Sequence, residues 1–420
     1  EIYMGDWSSD VCSSDLYLTP VNSHLSAREA AYIINDCEAK ALVTSRALAA
    51  VAERLPAQTP NCSIRLMVNG VAEGFRSYEE TTKTAPSARP DELSGGALLL
   101  YSSGTTGRPK GIMRSLPKSG RDGSTKAMAS LFGVGPETIY LSTQPLYHAA
   151  PLGFTLAILG TGATIVVMEK FDASAALNAL ETHKITLSQW VPTMFSRMLR
   201  LPQAERQGRD FSNHKIAIHG AAPCPVEVKR RMIEWWGPIF LEHYGGSEGN
   251  GMTLINSHDW LKRPGSVGRP LTSRIHICDE GGNELKSGED GIIYFEQEER
   301  SFSYLKDEEK TRSSAHPGHP NWTTLGDIGR LDAEGYLFLT DRRSELIISG
   351  GVNIYPAEVE NVLMGHAKVA DVAVIGVPHE DFGEGVKAIV ELVPDIKAGP
   401  EVADRKSTRL TPVTHIDLVC

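Results

Sequence analysis

Tyr101-Ser-Ser-Gly-Thr-Thr-Gly-Arg-Pro-Lys-Gly111 follows directly on Ala97–Tyr101, an apolar run that reads as a strand. Gly104, Gly107 and Gly111 permit positive φ and close backbone approach. Ser102, Ser103, Thr105 and Thr106 add hydroxyls, and the N–H groups of such a turn form a nest for an anion. Lys110, kept near the loop by Pro109, adds a mobile positive charge. These parts suit a polyphosphate. The run is not a Walker A loop, which ends Gly-Lys-Ser/Thr, because Lys110 lies between Pro109 and Gly111. This ending argues against a switch-type NTPase. A bare Ser/Gly surface loop is the alternative, and eleven residues in this order after a strand weigh against it.

Outward from the loop, short apolar runs end in loops. Thr138–Leu141 leads to Gln144-Pro145, Lys215–Ile218 to Gly220, and Ile239–Glu242 to Tyr244-Gly245-Gly246. Helical patterns separate them. Ser26 can cap Ser26–Asn35 with Glu29 three residues on, and Pro225–Trp236 places Val228, Met232, Trp235 and Trp236 on one face before Gly237-Pro238. Alternating strands and helices predict an α/β fold, whose ligands sit where strands end. From Arg274 the text alternates with period two (Arg274–Cys278, Gly291–Gln297, Tyr336–Leu339), which predicts a β-rich subdomain over about 265–340. A helix at Pro356–Leu363 and strands at Val372–Val377 and Val386–Leu392 form a small α+β C-terminal domain. Between these parts, 341–344 is the expected hinge.

The 420 residues imply more than one domain. With 42 Lys and Arg against 52 Asp and Glu, the net charge is −10, and no basic cluster offers a nucleic-acid surface. Cys12, Cys37, Cys62, Cys224, Cys278 and Cys420 have neither zinc nor redox spacing and read as free thiols. No apolar run reaches membrane-spanning length. The cytoplasm is the default expectation.

The run at 101–111 resembles the signature loop of the adenylate-forming (AMP-binding) superfamily, and the resemblance extends over about 17–394. It implies that Ser102, Ser103, Gly104, Thr105, Thr106, Gly107 and Lys110 hold the phosphates of ATP. Tyr244-Gly-Gly-Ser-Glu248 resembles the family's Tyr-Gly-x-Thr-Glu motif, with Ser247 for Thr. It implies Tyr244, Gly245 and Ser247 beside the nucleotide, Gly246 beside the acyl group and Glu248 on Mg²⁺. Gly220, Ala221 and Ala222, before Pro223, resemble the segment between adenine and acyl pocket. Asp327, in Thr323-Thr-Leu-Gly-Asp327, would accept from the ribose hydroxyls, and Arg342, in Thr340-Asp-Arg342, would reach ribose or α-phosphate. His148 would line the acyl site, although a satisfied core histidine is the plainer reading. Thr106, Lys110, Glu248 and Arg342 are the expected catalytic residues.

Ser349-Gly-Gly-Val-Asn-Ile-Tyr-Pro-Ala-Glu-Val-Glu360 resembles acyl-CoA synthetases in particular. It implies Gly350 and Gly351 along the pantetheine path, hence CoA as acceptor. The expected reaction joins a carboxylic acid, preferably a fatty acid, to CoA with ATP and Mg²⁺, through an acyl-AMP. Another acceptor, or a nucleotide-binding protein without full activity, is the competing reading. Ser344 stands where the family often has a hinge Asp or Lys, and no Gly-Lys segment follows 386–393. The expectation is a large domain over 17–340 and a partial C-terminal domain over 345–402. Non-native flanks are expected at 1–16 and 403–420, with poor adenylation by the chain as written.

Overall fold

The structure is a computed structural model. It describes residues 16–86, 96–102, 109–114, 130–271, 273–342, 347–349, 352–354, 356–364, 366, 368–379, 383–393 and 416–419; within 341–361 and at 383 and 416–419 some side chains are excluded. The chain divides into two compact units, 1–170 with 301–311, and 171–300 with 312–420.

In the first unit, the helix Ala27–Asp36 starts as its sequence requires. The Ser26 side chain accepts from the Glu29 N–H, and the Glu29 carboxylate accepts from the Ser26 N–H at 2.8 Å. Ala30, Ala31 and Ile34 then pack on Leu55 and Cys62. The strand Ala97–Ser102 is followed by a second strand, Lys110–Arg114, that the sequence pattern did not announce. The two pair antiparallel with Ser102 opposite Lys110 and Tyr101 opposite Gly111, so the Gly-rich loop closes a hairpin. Phe302–Tyr304 adds a strand antiparallel to Lys110–Arg114. Ile139–Ser142 and Thr164–Val167 pair in parallel, with the apolar helix Ala149–Leu159 between them in sequence.

In the second unit, Leu187–Trp190, Ile216–His219 and Phe240–Tyr244 form a parallel ribbon. Helices Pro192–Arg200 and Val226–Trp236 supply the crossovers. The sheet continues antiparallel through Thr253–Asn256, Ser266–Pro270, Leu337–Arg342, Asp327–Leu331, Gly291–Glu296 and Arg274–Cys278. Alternate residues of these strands (Val267, Ile275, Ile277, Ile293, Phe295, Leu337) form one apolar cluster, as period two demands. The fold is thus α/β, with a β-rich continuation.

The smaller C-terminal part has its own core. Val359 of helix Pro356–Met364 packs with Ile347, Val369, Val374, Val386, Ala388 and Val390. Val369–His379 and Gly383–Leu392 form a long antiparallel pair. Ile416–Val419, within the stretch expected as a flank, lies parallel to Gly383–Leu392. No helix among the described residues is long and apolar enough to cross a membrane.

Candidate active site

The feet of the Gly-rich loop are described; Ser103, Gly104, Thr105, Thr106 and Gly107 lie outside the described residues. Lys110 is not the mobile charge the sequence suggested. Its Nζ donates to Asp307 Oδ2 at 2.5 Å, with both side chains about three-quarters buried. Asp307 also accepts from the Lys310 N–H at 2.9 Å, and the Lys110 contact leads the causes that hold its carboxyl below the usual range. At the other foot, the Tyr101 hydroxyl donates to Asp36 Oδ2 at 2.6 Å. Burial, then Asp36, pushes this phenol above its ordinary value, so it stays a donor. Tyr32 Oη donates to the Pro109 carbonyl at 3.2 Å. Both feet of the loop are therefore tied to the helix Ala27–Asp36.

In the second unit the expected nucleoside-binding loops all follow strands. Gly220 is buried at the end of Ile216–His219, where a Cβ would come within 2.5 Å of the His243 carbonyl oxygen. Only glycine fits there. Ala221 has φ +68°, a left-handed conformation costly for a side-chain-bearing residue, and both Ala221 and Ala222 are exposed. Tyr244 ends the strand Phe240–Tyr244, and Gly245, exposed, opens the turn. A Cβ on Gly246 would lie 2.7 Å from the Leu325 side chain and 2.8 Å from Glu248 Oε2. The turn thus brings Glu248 back over Gly246, which also faces Leu325 of the segment that precedes Asp327. Ser247 and Glu248 are half-buried. The Tyr244 hydroxyl donates to Asp327 Oδ2 at 2.6 Å, and Asp327 is 6% exposed.

Beneath these loops lies an arrangement the sequence reading missed. The buried stripe of helix Val226–Trp236 includes Lys229 with Met232 and Ile233, where Val228 had been expected. Lys229 can be buried because its Nζ meets Glu242 Oε2 at 2.5 Å and lies 4.7 Å over the Trp260 ring. Burial pushes the ammonium down and the carboxyl up, and each charge pulls the other back. His219 Nε2 is 4.0 Å from Glu242 Oε2. His243 is held neutral, its pKa pulled by burial to about 4. The sequence holds both partners, a carboxylate in the strand Phe240-Leu-Glu-His-Tyr244 and a lysine three residues before Met232, but no local pattern couples them.

His148 is exposed at the N-cap of Ala149–Leu159, with its ring 4.5 Å from that of Tyr147. The reading as a satisfied core histidine is excluded. The Arg342 backbone pairs with Asp327, but its side chain, Gly350, Gly351 and residues 343–344 lie outside the described residues. Among the described residues no three His, Cys, Asp or Glu side chains gather to hold a metal. Glu248 stands as a single hard oxygen donor, which suits Mg²⁺ when phosphates supply further ligands.

A strand-borne Gly-rich hairpin, the Tyr244–Asp327 contact and a separate C-terminal core define a recognisable combination. The family model for AMP-binding enzymes matches residues 11–304, and that for their C-terminal domain matches 358–415. The chain belongs to the AMP-binding enzyme family. Both matches reach into the end stretches that had read as foreign. Among its relatives, a long-chain-fatty-acid–CoA ligase of Mycobacterium tuberculosis (FadD13) is 30% identical, covering 93% of this chain and 76% of that one. A 2-succinylbenzoate–CoA ligase of Bacillus licheniformis is 31% identical, covering 87% and 72%. ATP-bound MatB from Rhodopseudomonas palustris superposes with a TM-score of 0.79 at 27% identity, covering 96% of this chain and 80% of that one.

Proposed function

We propose that this chain joins a fatty acid to coenzyme A at the expense of ATP, through an acyl-adenylate. The observation that carries the reading is the Tyr244–Asp327 hydrogen bond. Two residues far apart in sequence meet at strand ends, one an aromatic suited to a purine face, the other a carboxylate suited to paired hydroxyls. In this reading Asp327 accepts from the ribose, Tyr244, Gly245 and Ser247 border the base, and Gly220, Ala221 and Ala222 let a flat ring approach the backbone. Ser102 and Lys110, with Ser103, Gly104, Thr105, Thr106 and Gly107, take the phosphates.

The chemistry asks for positioning and charge neutralisation rather than a protein nucleophile. The acid's carboxylate attacks the α-phosphorus and pyrophosphate leaves. Then the CoA sulfur attacks the acyl carbon and AMP leaves. Lys110 neutralises charge on the departing pyrophosphate, and Arg342 does so at the α-phosphate. Glu248 would hold Mg²⁺, which when bound offsets phosphate charge. His148 and Gly246 border the acyl group. Gly350 and Gly351 leave room for the pantetheine arm, with 341–344 as the hinge before a C-terminal domain over 345–402. The protein acts in the cytoplasm.

The acid is preferred as a medium or long fatty chain on the likeness to fatty-acid–CoA ligases. The 2-succinylbenzoate–CoA ligases, matched at similar identity, favour an aryl dicarboxylate as the second reading. Acid-dependent exchange of labelled pyrophosphate into ATP, run over octanoate, palmitate, 2-succinylbenzoate and benzoate, decides between them. Preference for either fatty acid supports the reading. Preference for 2-succinylbenzoate replaces it with the second.

A further inference from the structure

We infer that Asp307 is a positioning residue for the phosphate loop, acting through Lys110; this rests on the functional reading above. The ammonium is the loop's one cation among its described residues, and it is not left to wander. Asp307 Oδ2 takes one of its three N–H donors at 2.5 Å, which leaves two for phosphate oxygens. The carboxylate is itself fixed. Its Oδ1 accepts from the Lys310 N–H at 2.9 Å, and its carbonyl accepts from the Thr311 hydroxyl at 2.8 Å. The same hydroxyl accepts from the Tyr304 N–H at 2.9 Å.

The turn carrying Asp307 is in turn docked on the loop's own hairpin. The Leu305 N–H donates to the Gly111 carbonyl at 2.8 Å, one residue past Lys110. Lys306 Nζ donates to the Asp36 carbonyl at 2.8 Å and pairs with Glu38 at 3.0 Å, while Asp36 Oδ2 receives Tyr101 from the loop's other foot. A Cβ on Gly111 would stand 3.0 Å from Leu305 Cβ, so Gly111 admits this turn. Ordering a lysine side chain costs rotamer entropy. Here that cost is met before nucleotide arrives.

The test measures MgATP affinity by calorimetry on the full chain, for wild type, Asp307→Asn, Asp307→Glu, Lys110→Met and Lys110→Met/Asp307→Asn, with thermal unfolding of each. A charge-assisted contact implies a loss of about tenfold in affinity for Asp307→Asn, at least partly recovered in Asp307→Glu. In the Lys110→Met background, Asp307→Asn is expected to change affinity little further, because the two act as one unit. Equal losses in both backgrounds would show a role in folding alone and overturn the inference, as would wild-type affinity in Asp307→Asn. Failure of the wild-type chain to bind MgATP would instead overturn the functional reading, and the role of Asp307 with it.

Discussion

Tyr244 and Asp327, separated by 83 positions in the chain, are joined by a 2.6 Å hydrogen bond from phenol to carboxylate. One carboxylate oxygen is thereby occupied and the carboxyl plane fixed. Tyr244→Phe removes a bond to an acceptor of formal negative charge, worth roughly 1.5–3 kcal/mol. The expected outcome is about a tenfold or greater loss of MgATP affinity, with a larger loss for Asp327→Asn. Calorimetric titration checks both.

The Lys229–Glu242 pair predicts an asymmetry in stability. Both side chains are almost wholly buried. Lys229→Met strands a buried carboxylate and is expected to cost roughly 3–5 kcal/mol. The double change Lys229→Met/Glu242→Leu removes both charges and is expected to cost much less than the single one. Urea unfolding of the three proteins decides it; equal losses in single and double variants would contradict the pairing.

His214 and His243 predict acid sensitivity. Burial pulls the pKa of His214 to about 3 and that of His243 to about 4. Both are neutral in the fold, whereas in the unfolded chain each takes up a proton near pH 6.5. Their contribution to stability is therefore complete above about pH 6.5 and is lost as pH falls toward the folded values. Each histidine adds a slope approaching about 1.4 kcal/mol per pH unit between these limits. Unfolding midpoints at pH 7 and pH 5 should differ in that direction, and His243→Gln should flatten the dependence.

Gly220 and Ala221 should respond in opposite senses. Gly220→Ala drives a methyl into the His243 carbonyl and is expected to cost about 1–3 kcal/mol by overpacking. Ala221→Gly relieves a φ of +68° and is expected to be neutral or stabilising by up to about 1 kcal/mol. Thermal unfolding reads both.

Much of this fold was legible because local signals agreed with it. The Ser26–Glu29 capping box, the period-two strands from Arg274 and the Gly220 and Tyr244 turns all stand where the pattern put them. The hairpin strand Lys110–Arg114 was not legible, since a five-residue stretch with lysine and arginine at its ends has no alternation to read. The partners of Lys110 and Lys229 were hidden for another reason. Asp307 and Glu242 lie 197 and 13 residues away, and ion pairing depends on tertiary position rather than on local periodicity. Lys229 in particular reads as a solvated helix position until Glu242 is seen opposite it.

Acyl transfer from an adenylate to CoA is open to direct measurement by supplying synthetic palmitoyl-AMP and CoA to the protein and following thioester and AMP by mass spectrometry. The expected products are palmitoyl-CoA and AMP in equal amounts, at a rate dependent on the protein. Release of AMP with free palmitate and no thioester, or no turnover above the protein-free control, would contradict it.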